Sequence, residues 1–152
     1  MTGNRFSNLC NIWNSIGPFN MNSFSDRLIL QKKIYLLSEL GFDLGYNFRK
    51  YIRGPYSSEL ASDGYKMEVA NAISPKGEIP KELLDKLEIL GEGHERDPLW
   101  FELIASILFL LKKERLSLEK CREKISNEKP HLDVERDFDN VLSRLKKIGL
   151  LN

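Results

Sequence analysis

Soft metal ligands are scarce in this chain: its 152 residues include two cysteines and two histidines. Cys10, His94, Cys121 and His131 are scattered, with no pair at ligand spacing, so no zinc site and no metal cofactor are expected. Two distant cysteines cannot build the disulfide framework of a small secreted domain, and both read as reduced thiols. The sequence also has no glycine-rich phosphate loop and no nucleophile elbow. It lacks an excess of either charge, with 23 Lys plus Arg against 22 Asp plus Glu and a net charge of +1. Residues 1–75 hold 8 basic and 6 acidic side chains and the remainder 15 and 16, so neither half is a basic domain, and a long nucleic-acid footprint is disfavoured. The longest apolar run, Leu99 to Leu111, is interrupted by Glu102 and Ser106 and falls short of the ~20 residues a spanning helix needs. Near the N-terminus only Arg5 offers a positive flank, and no compact apolar stretch leads to a small-residue cleavage site, so the expected compartment is the cytoplasm.

What the chain does have is the composition of a globular domain, 41% hydrophobic and 30% charged, and helical periodicity along most of its length. The expected fold is mainly α, a compact helical bundle with a short β segment near residues 46–51. Residues 1–22, rich in Asn and broken by Gly17-Pro18, read as an irregular or weakly helical lead-in, in which Phe6, Leu9, Ile12, Trp13 and Ile16 recur at helical spacing and allow a short packed helix over roughly residues 5–16. Residues 23–152 read as one helical domain, divisible into sub-motifs 23–90 and 98–152. Ser23 caps a helix carrying Leu28, Leu30, Ile34, Leu37 and Leu40, and Gly41 closes it. Ser57 or Ser58 caps a second, carrying Leu60, Met67, Ala70 and Ile73, which ends in a turn at Ser74-Pro75-Lys76-Gly77. Pro80 stands in the first turn of a third, with Leu83, Leu84, Leu87 and Leu90 on one face. Leu99 to Leu111 reads as the central buried helix. Ser117 opens a charged amphipathic helix, and Asp133 opens the helix with the clearest stripe, Val134, Phe138, Val141, Leu142, Leu145 and Ile148, stopped by Gly149.

From Ile104 to Leu151 the order is long helix, short capped helix, loop and stripe-bearing helix, the trihelical pattern of winged-helix proteins. The two-stranded wing that follows in such folds is expected to be missing or supplied by another part of the chain. Earlier, Leu30-Gln31-Lys32-Lys33-Ile34-Tyr35-Leu36-Leu37, then Gly45-Tyr46-Asn47-Phe48 and Tyr51-Ile52-Arg53-Gly54-Pro55-Tyr56-Ser57-Ser58-Glu59-Leu60, form a combination that resembles the YwgA-like family of small prokaryotic proteins. Leu99-Trp100-Phe101-Glu102-Leu103-Ile104-Ala105-Ser106 looks like that family's second signature. More distantly, Leu30-Gln31-Lys32 with Tyr35 and Gly54-Pro55 is similar to the Panacea domain of antitoxins. The resemblance implies a mostly helical fold and no established activity, and it leaves the first 22 residues unexplained.

The same residues have physical roles that need no family. Gly54-Pro55 is expected to set a rigid turn between the extended segment and the next helix, with the rings of Tyr51 and Tyr56 packed on either side of it. Gln31 sits among apolar neighbours and, where buried, must bond a backbone group. Asp133, Glu135, Asp137 and Asp139 fan around their helix axis and suit the positive end of its dipole, which accounts for them without catalysis. Two basic groupings remain. Arg49, Tyr51, Arg53 and Tyr56, with Lys50 among them, are the candidate protein-binding residues, because aromatic side chains with Arg dominate protein interfaces. Arg144, Lys146 and Lys147 on the last helix are the candidate phosphate contacts. The expectation is a non-enzymatic interaction or regulatory module that binds a protein partner, with antitoxin-like neutralisation as its most specific version. The alternative is a winged-helix DNA-binding transcriptional regulator, with duplex DNA bound weakly. No cofactor is expected, and the oligomeric state is open.

Overall fold

The computed structural model describes residues 5–70 and 79–152, so the expected contribution of Ile73 and the turn at residues 74–77 lie outside the described residues. The element order is α1 (Arg5–Ile16), α2 (Phe24–Glu39), β1 (Arg49–Tyr51), β2 (Gly54–Tyr56), α3 (Ser58–Ala70), α4 (Lys81–Gly91), α5 (Pro98–Lys112), α6 (Leu118–Glu128) and α7 (Val134–Lys147). The fold is mainly helical with one short two-stranded antiparallel sheet.

Side-chain caps fix several helix starts. Ser23 accepts from the Asp26 N–H, Ser117 from the Lys120 N–H and Asp133 from the Arg136 N–H, each satisfying a donor that the first turn leaves without a partner. Asp97 accepts from both Leu99 and Trp100, and Pro98, which needs no donor, takes the first helical position. Pro80 stands one residue earlier than expected, as the residue preceding α4 rather than within its first turn.

α5 is the centre of the core. From Trp100 to Leu108 every residue is buried, and α2 lies along it, buried without a break from Leu28 to Lys32 and again from Ile34 to Leu37. α7 supplies the stripe read from the sequence, with Val134, Phe138, Val141, Leu142 and Leu145 buried. Within the lead-in, the short helix that the apolar spacing allows over residues 5–16 is formed as α1. Its Leu9, Ile12 and Ile16 enter the same core as α2 and α5, and Met21 beyond it is also buried. Residues 5–21 therefore contribute to the core, each such side chain adding about 1.5 to 3 kcal/mol on full burial.

The β segment is shorter than expected and its turn lies elsewhere. Arg49 pairs with Tyr56, Lys50 with Pro55 and Tyr51 with Gly54, so Ile52-Arg53 forms the turn and Gly54-Pro55 opens the returning strand. A proline that cannot donate is accommodated because the sheet has only two strands. Gly54 has φ +93, and a Cβ there would stand 2.7 Å from the Ser106 hydroxyl, so glycine is required by both conformation and space. Tyr51 and Tyr56 do pack together, their rings edge to face at 5.1 Å. Among the described residues no helix is long and apolar enough to cross a membrane.

Candidate functional site

The hairpin of β1 and β2 sits on α2, α5 and the end of α6, held mainly by polar contacts. Gln31 of α2 bonds the backbone of Ser57 in both directions, its amide donating to the carbonyl and its oxygen accepting from the N–H, each at 2.8 Å. Lys32, the next residue, is fully buried and donates to the Pro55 carbonyl at 2.6 Å. Lys129, after α6, donates to the Ile52 carbonyl in the turn. Three buried side chains thus take up backbone groups that a two-stranded sheet leaves unpaired, which is what burial of such groups demands.

Beneath the turn lies Glu102, fully buried on α5. One carboxylate oxygen meets Lys129 Nζ at 3.0 Å and His131 Nε2 at 2.9 Å. The other faces the Arg53 guanidinium at 3.5 Å. A buried carboxylate survives only with such company, since an isolated charge in the interior costs several kcal/mol, on the order of the stability of a small protein. Burial pushes the Lys32 amine down to about 7, against the pull of the Glu102 charge, and the Lys129 charge adds to the depression. At the outer edge Lys50 pairs with Glu114 and Glu128 at 3.4 and 3.8 Å, and Lys124 pairs with the same two carboxylates.

The upper side of this clamped hairpin is exposed and apolar. Ile52 is 86% exposed and Tyr51 51% exposed. The Arg53 guanidinium lies over the Phe24 ring at 5.5 Å, and Phe24 is itself half exposed. Beside them a pocket of about 200 Å³ opens between Phe24, Arg27, Tyr56 and Tyr65. The four candidate protein-binding residues, Arg49, Tyr51, Arg53 and Tyr56, are brought together on this one hairpin. Tyr56 is half-buried and Arg49 is exposed.

The phosphate-contact candidates are divided. Lys146 and Lys147 lie on the exposed face of α7. Arg144 instead donates to the carbonyls of Ile89, Leu90 and Glu92 at 3.1, 3.2 and 2.8 Å. Its guanidinium also stands 4.8 Å from the centre of the Trp100 ring. That arginine ties the end of α4 to α7. The acidic residues at the start of α7 take local partners: Asp133 caps the helix, Asp137 pairs with Arg136 at 3.0 Å and Asp139 with Arg122 at 3.5 Å. Among the described residues no group of three or more His, Cys, Asp or Glu side chains converges where a metal ion could sit. Cys121 is a buried free thiol, and the Cys10 thiol lies 3.2 Å from the Met67 sulfur.

Sequence reasoning singled out Gln31 but passed over Lys32, Glu102, Lys129 and His131 as members of one cluster. The available signal was Glu102 and Ser106, two polar residues one helical turn apart inside an otherwise apolar run. Comparison with family models, with curated proteins and with solved structures finds no match for the chain, so the geometry of the hairpin carries the functional reading.

Proposed function

We propose that this chain is a non-enzymatic interaction module with a regulatory role, and that the hairpin turn is the surface on which a protein partner docks. The observation that supports this most is the contrast between the two sides of the turn. On one side Lys32 and Lys129 hold the carbonyls of Pro55 and Ile52, and Glu102 anchors Arg53; on the other, Ile52 projects almost fully into solvent and Tyr51 is half exposed. An apolar tip on a pre-organised backbone loses little conformational entropy on docking, which favours affinity per unit of buried area. Arg49 and Arg27 flank the patch, and the Arg53 guanidinium lies within it, so the partner surface that fits is apolar with acidic residues around it. Antitoxin-like neutralisation of a protein is the most specific form of this reading.

The duplex-DNA alternative has less support. Arg144 is engaged by three carbonyls, and a net charge of +1 gives little electrostatic attraction for phosphates.

The test is affinity capture from the source cell with wild-type protein and with Ile52→Asp, Tyr51→Ala and Arg53→Glu variants, each checked for a native melt. Ile52 and Tyr51 are exposed, so replacing them should leave stability within ~0.5 kcal/mol while removing the partner. Retention of every wild-type partner by all three variants would exclude the turn.

A further inference from the structure

A second cavity lies on the other flank of the hairpin, about 210 Å³ in volume, walled by Tyr51, Gly54 and Pro55 of the hairpin, by α5 and by α6. Its surface is mostly apolar, from Pro55, Phe109, Leu110 and Ile125, and its inner end carries Ser106 and Lys129. The Ser106 hydroxyl is buried and has no hydrogen-bond partner. A helical serine ordinarily turns back onto the carbonyl four residues earlier, yet this one does not. Instead it lies close under the Gly54 backbone, where the end of the Lys32 side chain also approaches.

Lys129 is the charged side chain at this inner end. It pairs with Glu102, whose other partners are His131 and Arg53. Lys129 has three N–H donors, of which the Ile52 carbonyl and Glu102 use two. At the mouth, by contrast, Lys50 and Lys124 are matched by Glu114 and Glu128.

We propose that this cavity binds a small organic monocarboxylate, its carboxylate held by the Ser106 hydroxyl and Lys129 and its apolar body packed against Phe109, Leu110 and Ile125. A cation would meet Lys129 at the inner end. A phosphate dianion would have to leave water for walls that offer mainly carbon. A nucleotide is too large for the volume, whereas an acid of about ten non-hydrogen atoms or fewer fits it. The site needs no partner protein, although its wall shares Tyr51 and Ile52 with the docking turn.

The experiment is an NMR titration of the purified chain with benzoate, butyrate, benzamide and benzylamine, repeated on Ser106→Ala. That substitution adds no atoms near Gly54, and a thermal melt matching the wild type establishes that it folds. The expected result is saturable binding of benzoate or butyrate with a Kd of about 1 mM or tighter, with shifts centred on Gly54, Ser106, Phe109 and Ile125. Benzamide should bind about tenfold more weakly, benzylamine should not bind, and Ser106→Ala should lose about tenfold in benzoate affinity, the usual effect of one hydrogen bond to a charged group. The proposal is overturned by saturation with neither acid, by shifts centred elsewhere, by benzylamine binding as tightly as benzoate, or by Ser106→Ala retaining wild-type affinity.

Discussion

Lys32 carries an unusual burden for a lysine, being enclosed by protein while its neighbours include another cation. Its amine holds a proton up to the ordinary 10.5 in the unfolded chain but only up to about 7 in the fold, burial being the main cause. Between those values the unfolded state binds more protons, so this residue makes stability rise with pH, and its cost is fully present below about 7. The shift corresponds to an upper bound of about 5 kcal/mol. Urea unfolding of wild type and Lys32→Met at pH 6.5, 7.5 and 8.5 should show the rise flattened in the variant; parallel curves would refute the account. Taking the difference between the two proteins removes the opposing effect of Tyr35, Tyr46 and Cys121, whose raised values act at higher pH. Glu102 is the complementary case. Glu102→Ala leaves Lys129 buried without its carboxylate and should cost about 3 to 5 kcal/mol in the same assay at pH 7.5, whereas a loss under ~1 kcal/mol would mean that Lys129 finds water. Both residues stand in plain view in the sequence, Lys32 beside Gln31 and Glu102 inside an apolar run. Their pairing does not, because it depends on Lys129, 27 positions away from Glu102, and on a turn whose place depends on tertiary contacts.

Helices with a polar side were legible, while those without one hid their roles. The stripe on α7 gave its position and its Asp133 cap from residue type and spacing, and the apolar run of α5 gave that helix's position. α2 is buried on nearly every face, so its periodicity carried little information about which neighbour each side chain meets. The hairpin was misplaced by two residues because Gly-Pro is a strong turn signal. Here Gly54 supplies its positive φ at the start of a strand and Pro55 spends its missing donor at an edge. α1 was legible from the helical spacing of Leu9, Ile12 and Ile16, which are buried despite the asparagines around them. Two tests address these elements. Leu103→Ala or Leu108→Ala in α5 should each cost about 2 to 5 kcal/mol in thermal or urea unfolding, through the cavity left in a fully packed region. Gln31→Leu should leave the Ser57 N–H and carbonyl buried without partners, at about 1 to 3 kcal/mol, and speed amide exchange at residues 51–57 more than in α7. Uniform acceleration across the chain would show instead that the amide supports the whole fold rather than the hairpin.

The molecule as a whole places its chemistry at one end of α5, where a hairpin from the first half of the chain meets a loop from the second. Contacts join residues of 23–90 to residues of 98–152: Arg53 and Lys129 both reach Glu102, and Arg144 of α7 ties down the end of α4. The place of Arg144 also changes how DNA binding should be tested. A reversal at Arg144 would break three hydrogen bonds to carbonyls and the contact with Trp100, so loss of binding in that variant would report damaged packing. Lys146 and Lys147 are exposed on the same helix and provide the clean test. With a net charge of +1, binding to a labelled duplex at physiological salt should be no tighter than the nonspecific range, ~1 to 100 µM, and should weaken steeply as salt is raised. Charge reversal at Lys146 and Lys147 should lower that affinity without moving the melting temperature by more than a degree or two, roughly the effect expected of exposed substitutions. Nanomolar binding that survives the double reversal would place a true nucleic-acid surface elsewhere on the molecule, and the flanks of the hairpin at Arg49 and Arg27 would be the next positions to reverse.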